Sequence, residues 1–358
     1  MSRPAGTPPC PLAGTPARRM PLTMVDTVTS QPARAHGATR PGRRRPPGTG
    51  ARALIRRLRV APYLLLLPAV AAIALVLLWP VVQVALYSFQ NYGLPQTDGA
   101  APAQWVGLAN YTQTFTDPEF WLSLRITTAF AAAAVTLTLL TGTLIGLLLN
   151  QLGRVMAAIV ATTALLAWAT PPVSASVLFY WLFNPDGGLV DWSLARLPHW
   201  LVGSTDWAGF NWTTSGALPA YTVATVLVVW QAFPFIAVSV LAGLKTVPGE
   251  LLEAARVDGA GAWRGFWKIT YPLMKPIFLV LLLFSVIWDF NVFTQTYLLT
   301  GGLGNRDEFN LSLYLYDRAF TFPPSYGLGG ALALILTVIL LIVTVGYVRA
   351  SVRQGALA

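Results

Sequence analysis

Long stretches without a single charged residue constrain this chain more than anything else in it. Residues 60–97, 126–153, 155–185, 207–244 and 319–348 contain no Asp, Glu, Lys or Arg, and 276–299 contains only Asp289. A helix needs about 20 apolar residues to cross the hydrocarbon core of a bilayer, and every one of these runs is long enough. Composition agrees: 55% of residues are hydrophobic and 11% charged, where soluble domains carry about 25% charged residues. Trimming the runs at turn residues predicts an all-α membrane protein with six spans, near 63–88, 125–149, 156–182, 218–244, 274–299 and 327–348.

The formal charge of +10 could point to nucleic acid, but its placement argues otherwise. Twelve of the 24 Lys and Arg lie in the first 60 residues, and most of the rest sit in short connections between apolar runs. A nucleic-acid domain would spread them over a folded polar surface. The charge is instead a topology signal, and no nucleic-acid partner is expected. With the N-terminus inside, only Arg125, Arg196, Arg306 and Arg318 fall outside, so both termini are predicted to be cytoplasmic. Residues 1–60 are rich in Pro, Arg, Gly, Ala and Thr and have few large apolar residues. They cannot bury enough surface to offset the entropy of ordering, so they read as a disordered cytoplasmic tail. No apolar core follows Arg3 closely enough for a signal peptide, and Met20 and Met24 are alternative starts. Residues 61–350 form the transmembrane domain, and 351–358 are a second, short cytoplasmic tail.

Little in the chain suits covalent or metal chemistry. Cys10 is the one cysteine, and His36 and His199 lie far apart. No cluster has metal-ligand spacing. Gly243-Leu244-Lys245-Thr246 lacks the order of a phosphate-cradling loop. No cofactor is expected, and any ATP used is bound by another chain.

The inner connection 245–273 carries the most information. Pro248 to Asp258 predicts a short helix, with Pro at its start, Glu250 in its first turn, then Leu and Ala. Gly259 and Gly261 end it and allow a sharp turn. A second amphipathic piece sets Trp263, Phe266, Trp267 and Ile269 against Arg264 and Lys268, and Pro272 is expected to break it before the fifth span. Pattern alone fits two uses: a helix lying on the membrane surface, or a docking lever with a small Ala254-Ala255 patch that permits close approach by another protein.

Glu253-Ala254-Ala255, Gly259 and Ile269 with Pro272 resemble the signature loop of bacterial ATP-binding-cassette importer permeases. The wider chain resembles the maltose-type sugar permeases. Val106-Gly107-Leu108-Ala109-Asn110-Tyr111, Asn184-Pro185-Asp186-Gly187-Gly188, Phe233-Pro234-Phe235, Trp288-Asp289-Phe290-Asn291 and Leu299-Thr300-Gly301-Gly302 follow in register. The likeness covers about residues 60–350; Tyr271 replaces the commoner Leu before Pro272, and there is no large extracytoplasmic insertion. The resemblance implies a channel-forming subunit in the bacterial plasma membrane that imports a sugar, of di- or oligosaccharide size. It also implies a second, homologous permease, two ATPase subunits docked at 245–272, and an extracytoplasmic sugar-binding protein. Glu253, Ala254, Ala255, Asp258, Gly259, Ile269 and Pro272 would make the coupling contact, Glu253 facing a basic residue and Gly259 supplying the bend.

A sugar presents apolar C–H faces and polar edges, so its path should combine aromatic and hydrogen-bonding side chains. In the fifth span, Trp288, Asn291 and Gln295 fall on one helical face, with Asp289 on the adjoining one. An ionised Asp at mid-membrane costs about 2.5–3.5 kcal/mol on insertion scales, so Asp289 should face a pathway or a partner helix. Trp230, Gln231 and Phe233 beside Pro234 are further candidates from the fourth span. All seven also suit plain helix packing. An ion-coupled carrier would string several ionisable groups through the membrane, and a membrane enzyme would need an acid–base pair or a metal cluster; neither pattern is present.

Overall fold

The computed structural model describes residues 65–353, so the expected N-terminal tail 1–60 and most of the C-terminal tail lie outside the described residues. Helix α1 (Leu65–Tyr87) is followed by a small antiparallel ribbon, β1 (Gln90–Asn91) with β2 (Gln104–Trp105). Then come α2 (Ala109–Thr116), α3 (Pro118–Gln151), α4 (Arg154–Ala169), α5 (Pro172–Leu182) and the short α6 (Leu189–Leu194). The second half contains α7 (Ala217–Leu244), α8 (Gly249–Val257), α9 (Ala262–Phe290), α10 (Thr294–Leu299), α11 (Leu311–Phe320) and α12 (Tyr326–Arg353). Helices α1, α3, α7, α9 and α12 are each long and apolar enough to span a bilayer, and α4 with α5 qualifies only as a pair.

Two expected boundaries are corrected, and one expected span is bent. The third span, expected over 156–182, falls on α4 and α5 together, with a bend of 96° between them. Pro171 and Pro172 stand at the bend, and neither has an N–H to offer the carbonyl one turn back. The fifth span does not run over 274–299. Its helix starts at Ala262 and passes through Pro272, because residues Phe266–Thr270 form a wide π-turn that absorbs the proline without ending the helix. It stops at Phe290, where Asn291 turns its side chain onto its own helix: Nδ2 donates to the Ile287 carbonyl at 2.7 Å and competes with the backbone ladder. The outer connection 89–124 is also shorter than expected, since α3 begins at Pro118. Asp117 caps α3, accepting from the Glu119 N–H at 2.9 Å.

The spine of the bundle is the α3–α7 pair, the most extensive helix contact in the chain. A Cβ added at Gly142 would lie 2.5 Å from Cβ of Ile236, and one at Gly146 would lie 2.8 Å from the Ala237 carbonyl oxygen. These two glycines, four residues apart, bring the helices into backbone contact, the arrangement by which small residues hold helices together in lipid. Around the spine, Phe130, Ala134, Phe179, Tyr221, Leu227 and Val228 make one buried core. A second core joins Phe120, Leu311, Tyr314, Leu332 and Ile335.

The connection leading into α11, and α11 itself, are pinned to two helices, α3 and α7. Tyr221 of α7 donates to the Glu308 carbonyl at 2.9 Å, and the Leu311 N–H donates to Thr127 of α3 at 2.7 Å. Arg318 reaches Asp117 at 2.8 Å and Glu119 at 2.9 Å. Tyr314 donates to Asp117 at 2.6 Å; burial, and then this bond, raise its phenol above the ordinary value.

Candidate functional site

Two helix breaks meet in a cavity of about 350 Å³. At the α4–α5 bend the Thr170 carbonyl is turned out of its helix, and Gln231 of α7 donates to it at 3.0 Å. Gln295 of α10 reaches Gln231 in turn, at 3.4 Å. From the other break, Trp288, Asp289 and Asn291 line the same space, with Trp168 and Pro172 opposite. Phe235 joins the two tryptophans, its ring centroid 5.8 Å from each. Non-helical backbone inside a membrane domain is tolerated where it lines a cavity or is buried in protein, and here it does the former.

Asp289 is 5% exposed, and its Oδ2 has no hydrogen-bond partner among the described residues. A buried acceptor left without a donor is expensive. That oxygen is itself closed off from solvent, so within the described residues the carboxyl stands at the cavity wall with this acceptor unfilled. The wall as a whole combines two indole rings with three carboxamides and a carboxyl, an arrangement suited to a ligand with apolar faces and hydroxyl edges.

Five of the seven residues expected on the path line this cavity: Gln231, Trp288, Asp289, Asn291 and Gln295. They do so for a different reason from the one the sequence suggested. No continuous helical face joins Trp288 to Gln295; the break after Phe290 does. Trp230 and Phe233 do not line the cavity. Trp230 packs against Phe179 at 5.6 Å, and the Phe233 carbonyl faces Gly142. Sequence reasoning missed Trp168, Thr170 and Pro172. The available signal was the Pro171-Pro172 pair inside an otherwise uncharged run.

The other candidate region is the elbow formed by α8 and the start of α9. Glu250 in the first turn of α8 and Arg256 in its last complement the helix ends. The Ala260 N–H closes the helix onto the Ala255 carbonyl at 2.8 Å. Gly259 adopts the left-handed conformation at φ +76°, which a residue with a Cβ adopts only with strain. Glu253, Ala254, Asp258, Gly259 and Pro272 are exposed, while Ala255 and Ile269 are half-buried. Val257 is 88% and Trp263 75% exposed, so the elbow presents a mixed apolar and charged surface.

A bundle of membrane-spanning helices with a polar cavity at its helix breaks and an exposed elbow between two spans defines a multi-pass membrane transport component. Residues 138–354 match the family described as binding-protein-dependent transport system inner membrane component, and the chain belongs to that family. It is 41% identical over 307 residues to the diacetylchitobiose uptake system permease protein of Streptomyces coelicolor, covering 86% of this chain and 91% of that one. It is 34% identical to the sulfoquinovosyl glycerol transport system permease protein of Agrobacterium fabrum, over 81% of this chain and 90% of the other. For the trehalose/maltose transport system permease protein of Thermococcus litoralis the identity is 31%, over 80% and 92%. The fold resembles a chain of a bacterial ABC transporter involved in import of the acidic polysaccharide alginate. The TM-score is 0.65 at 19% identity, over 84% of this chain and 99% of that one.

Proposed function

We propose that the chain is the channel-forming permease of an ATP-driven importer, and that its cargo, a di- or oligosaccharide, passes through the cavity between the two helix breaks. The observation that carries this reading is the cavity wall: Trp168 and Trp288 set against Gln231, Asp289, Asn291 and Gln295. Indole faces suit the C–H faces of a pyranose, and the buried, unpartnered Asp289 carboxyl suits a sugar hydroxyl. The relatives named for diacetylchitobiose and for trehalose and maltose support a short glycan as cargo.

The partners follow from the same reading. A second, homologous permease completes the pathway. Two ATPase subunits dock from the cytoplasm, one of them on the α8 elbow, with Glu253 facing a basic residue, Gly259 forming the bend, and Ala254, Ala255, Asp258, Ile269 and Pro272 completing the contact. A solute-binding protein delivers sugar from outside, as the alginate transporter was captured with its periplasmic protein. Both termini face the cytoplasm in this arrangement, in accord with the placement of Lys and Arg. Coupling then works through a rigid element that two states can push.

Two sets of variants in the assembled transporter test the reading. Asp289→Asn and Trp288→Ala should each lower sugar uptake by about tenfold or more, the loss expected for one buried polar or aromatic contact. Glu253→Lys and Gly259→Pro should abolish uptake and sugar-stimulated hydrolysis while the membrane domain still assembles. Parental uptake in a well-expressed Glu253→Lys variant would refute the coupling role. Parental uptake in both cavity variants would refute the pathway.

A further inference from the structure

We infer that Asn310, far from the cavity in sequence and outside its wall, is a positioning residue that holds the α9–α10 break in the shape the transport site needs. The inference rests on the cavity being that site.

The break leaves the Val292 carbonyl without an ordinary helical donor, and Val292 itself lines the cavity. The Thr296 hydroxyl approaches that oxygen at 3.3 Å, and Asn310 supplies the closer donor: its Nδ2 lies 2.8 Å from the Val292 oxygen and 3.3 Å from Oγ1 of Thr296. Its other end is equally occupied. Oδ1 accepts the Leu313 N–H at 2.8 Å and so caps α11. The side chain is 2% exposed, and water cannot replace it without a path to the site. One carboxamide therefore ties the break to α11. The connection around α11 is in turn pinned to α3 through Thr127 and to α7 through Tyr221.

This arrangement has a consequence for the site. Asn291 and Gln295 stand on either side of Val292, and Asp289 lies one residue before Phe290, where α9 ends. Their directions into the cavity depend on the three-residue break rather than on a helix. A break whose buried carbonyl kept only the long contact from the Thr296 hydroxyl would reorganise to find a better donor, and the nearest regular solution is continuation of α9 into α10. That would rotate Gln295 relative to Asp289. Asn310 opposes it from outside the helix.

Asn310→Asp and Asn310→Ser separate the two jobs of the side chain. Both keep an oxygen that can cap α11, and both remove the amide donor to Val292. The reporter is Gln295→Cys in a full-length chain with Cys10→Ser, assembled with its partner subunits in liposomes and treated with a small methanethiosulfonate reagent. With either Asn310 substitution, the labelling rate at position 295 should change by about tenfold, the size expected for one buried carbonyl losing its closer donor. In the chain with native Gln295, the maximal uptake rate should fall comparably, with the half-saturating concentration of sugar-loaded binding protein unchanged. A simple capping residue would leave both readings at parental values, because the caps are retained. Unchanged labelling would overturn the positioning role. Altered labelling with parental uptake would overturn it for transport in a distinguishable way: Asn310 would hold the break, and the cavity would not be the pathway.

Discussion

The α3–α7 spine makes a sharp prediction about two glycines. In Gly142→Ala the new Cβ would lie 2.5 Å from Cβ and 2.6 Å from Cγ2 of Ile236. Ordinary carbon contacts are about 3.5–4.0 Å, so the shortfall is about 1 Å. Cβ of Ile236 is fixed to its backbone and cannot swing aside, which leaves separation of the helices as the only relief. At Gly146 the obstacle is the Ala237 carbonyl oxygen at 2.8 Å, again backbone. Overpacking of this kind costs about 1–3 kcal/mol, partly offset by about 0.5–1 kcal/mol because Ala is the better helix former. Each single variant should therefore lose about 1–2 kcal/mol. The pair should depart from additivity, because once the helices part for one methyl they have parted for the other. Gly346→Ala in α12 is the internal control. Nothing lies within 4 Å of its Cβ position, so only the propensity gain remains. Thermal unfolding of the purified protein should rank Gly346→Ala at or above the parent and both spine variants below it. If Gly142→Ala melts with Gly346→Ala, the helices are not held in backbone contact at that point and the packing argument fails.

Arg318→Ala should destabilise the outer end of the bundle by about 1–2 kcal/mol, because it strands Asp117 and Glu119, which are only 21% and 35% exposed. Arg318→Lys should recover only part of the loss in the same unfolding assay, because both carboxylates are held by the outermost guanidinium nitrogen, Nη2, which the shorter lysine side chain does not replace in position. For topology, Asp98→Cys and Asp206→Cys in a chain with Cys10→Ser should react with an impermeant thiol reagent added outside intact cells, and Ala262→Cys should not. Labelling of position 262 from outside would invert the orientation drawn from the Lys and Arg distribution.

The sequence was most informative where one physical property acts alone. Transfer of charge into hydrocarbon is costly enough that uncharged runs mark the membrane segments: α1 ends, α7 begins and ends, and α12 begins within a few residues of the expected limits. The turn after α8 was equally legible, since a left-handed φ at position 259 is a local demand that glycine meets by itself. What a local reading could not supply was competition between partners distant in the chain. Pro272 looks like a helix breaker on its own, yet a wide turn just before it lets α9 continue. Trp288 to Gln295 looks like a helical face, yet Asn291 folds onto Ile287 and Asn310 takes the Val292 carbonyl across eighteen residues of chain. The cavity residues could be named from their chemistry, while Trp168 and Thr170 joined them only through the bend at Pro171-Pro172. Composition and charge thus determined that the chain enters the membrane and which segments carry it there. Which backbone groups lose their helical partners, and so where the helices open around a cavity, was decided by tertiary structure, because each such group had to find its donor or acceptor on another helix.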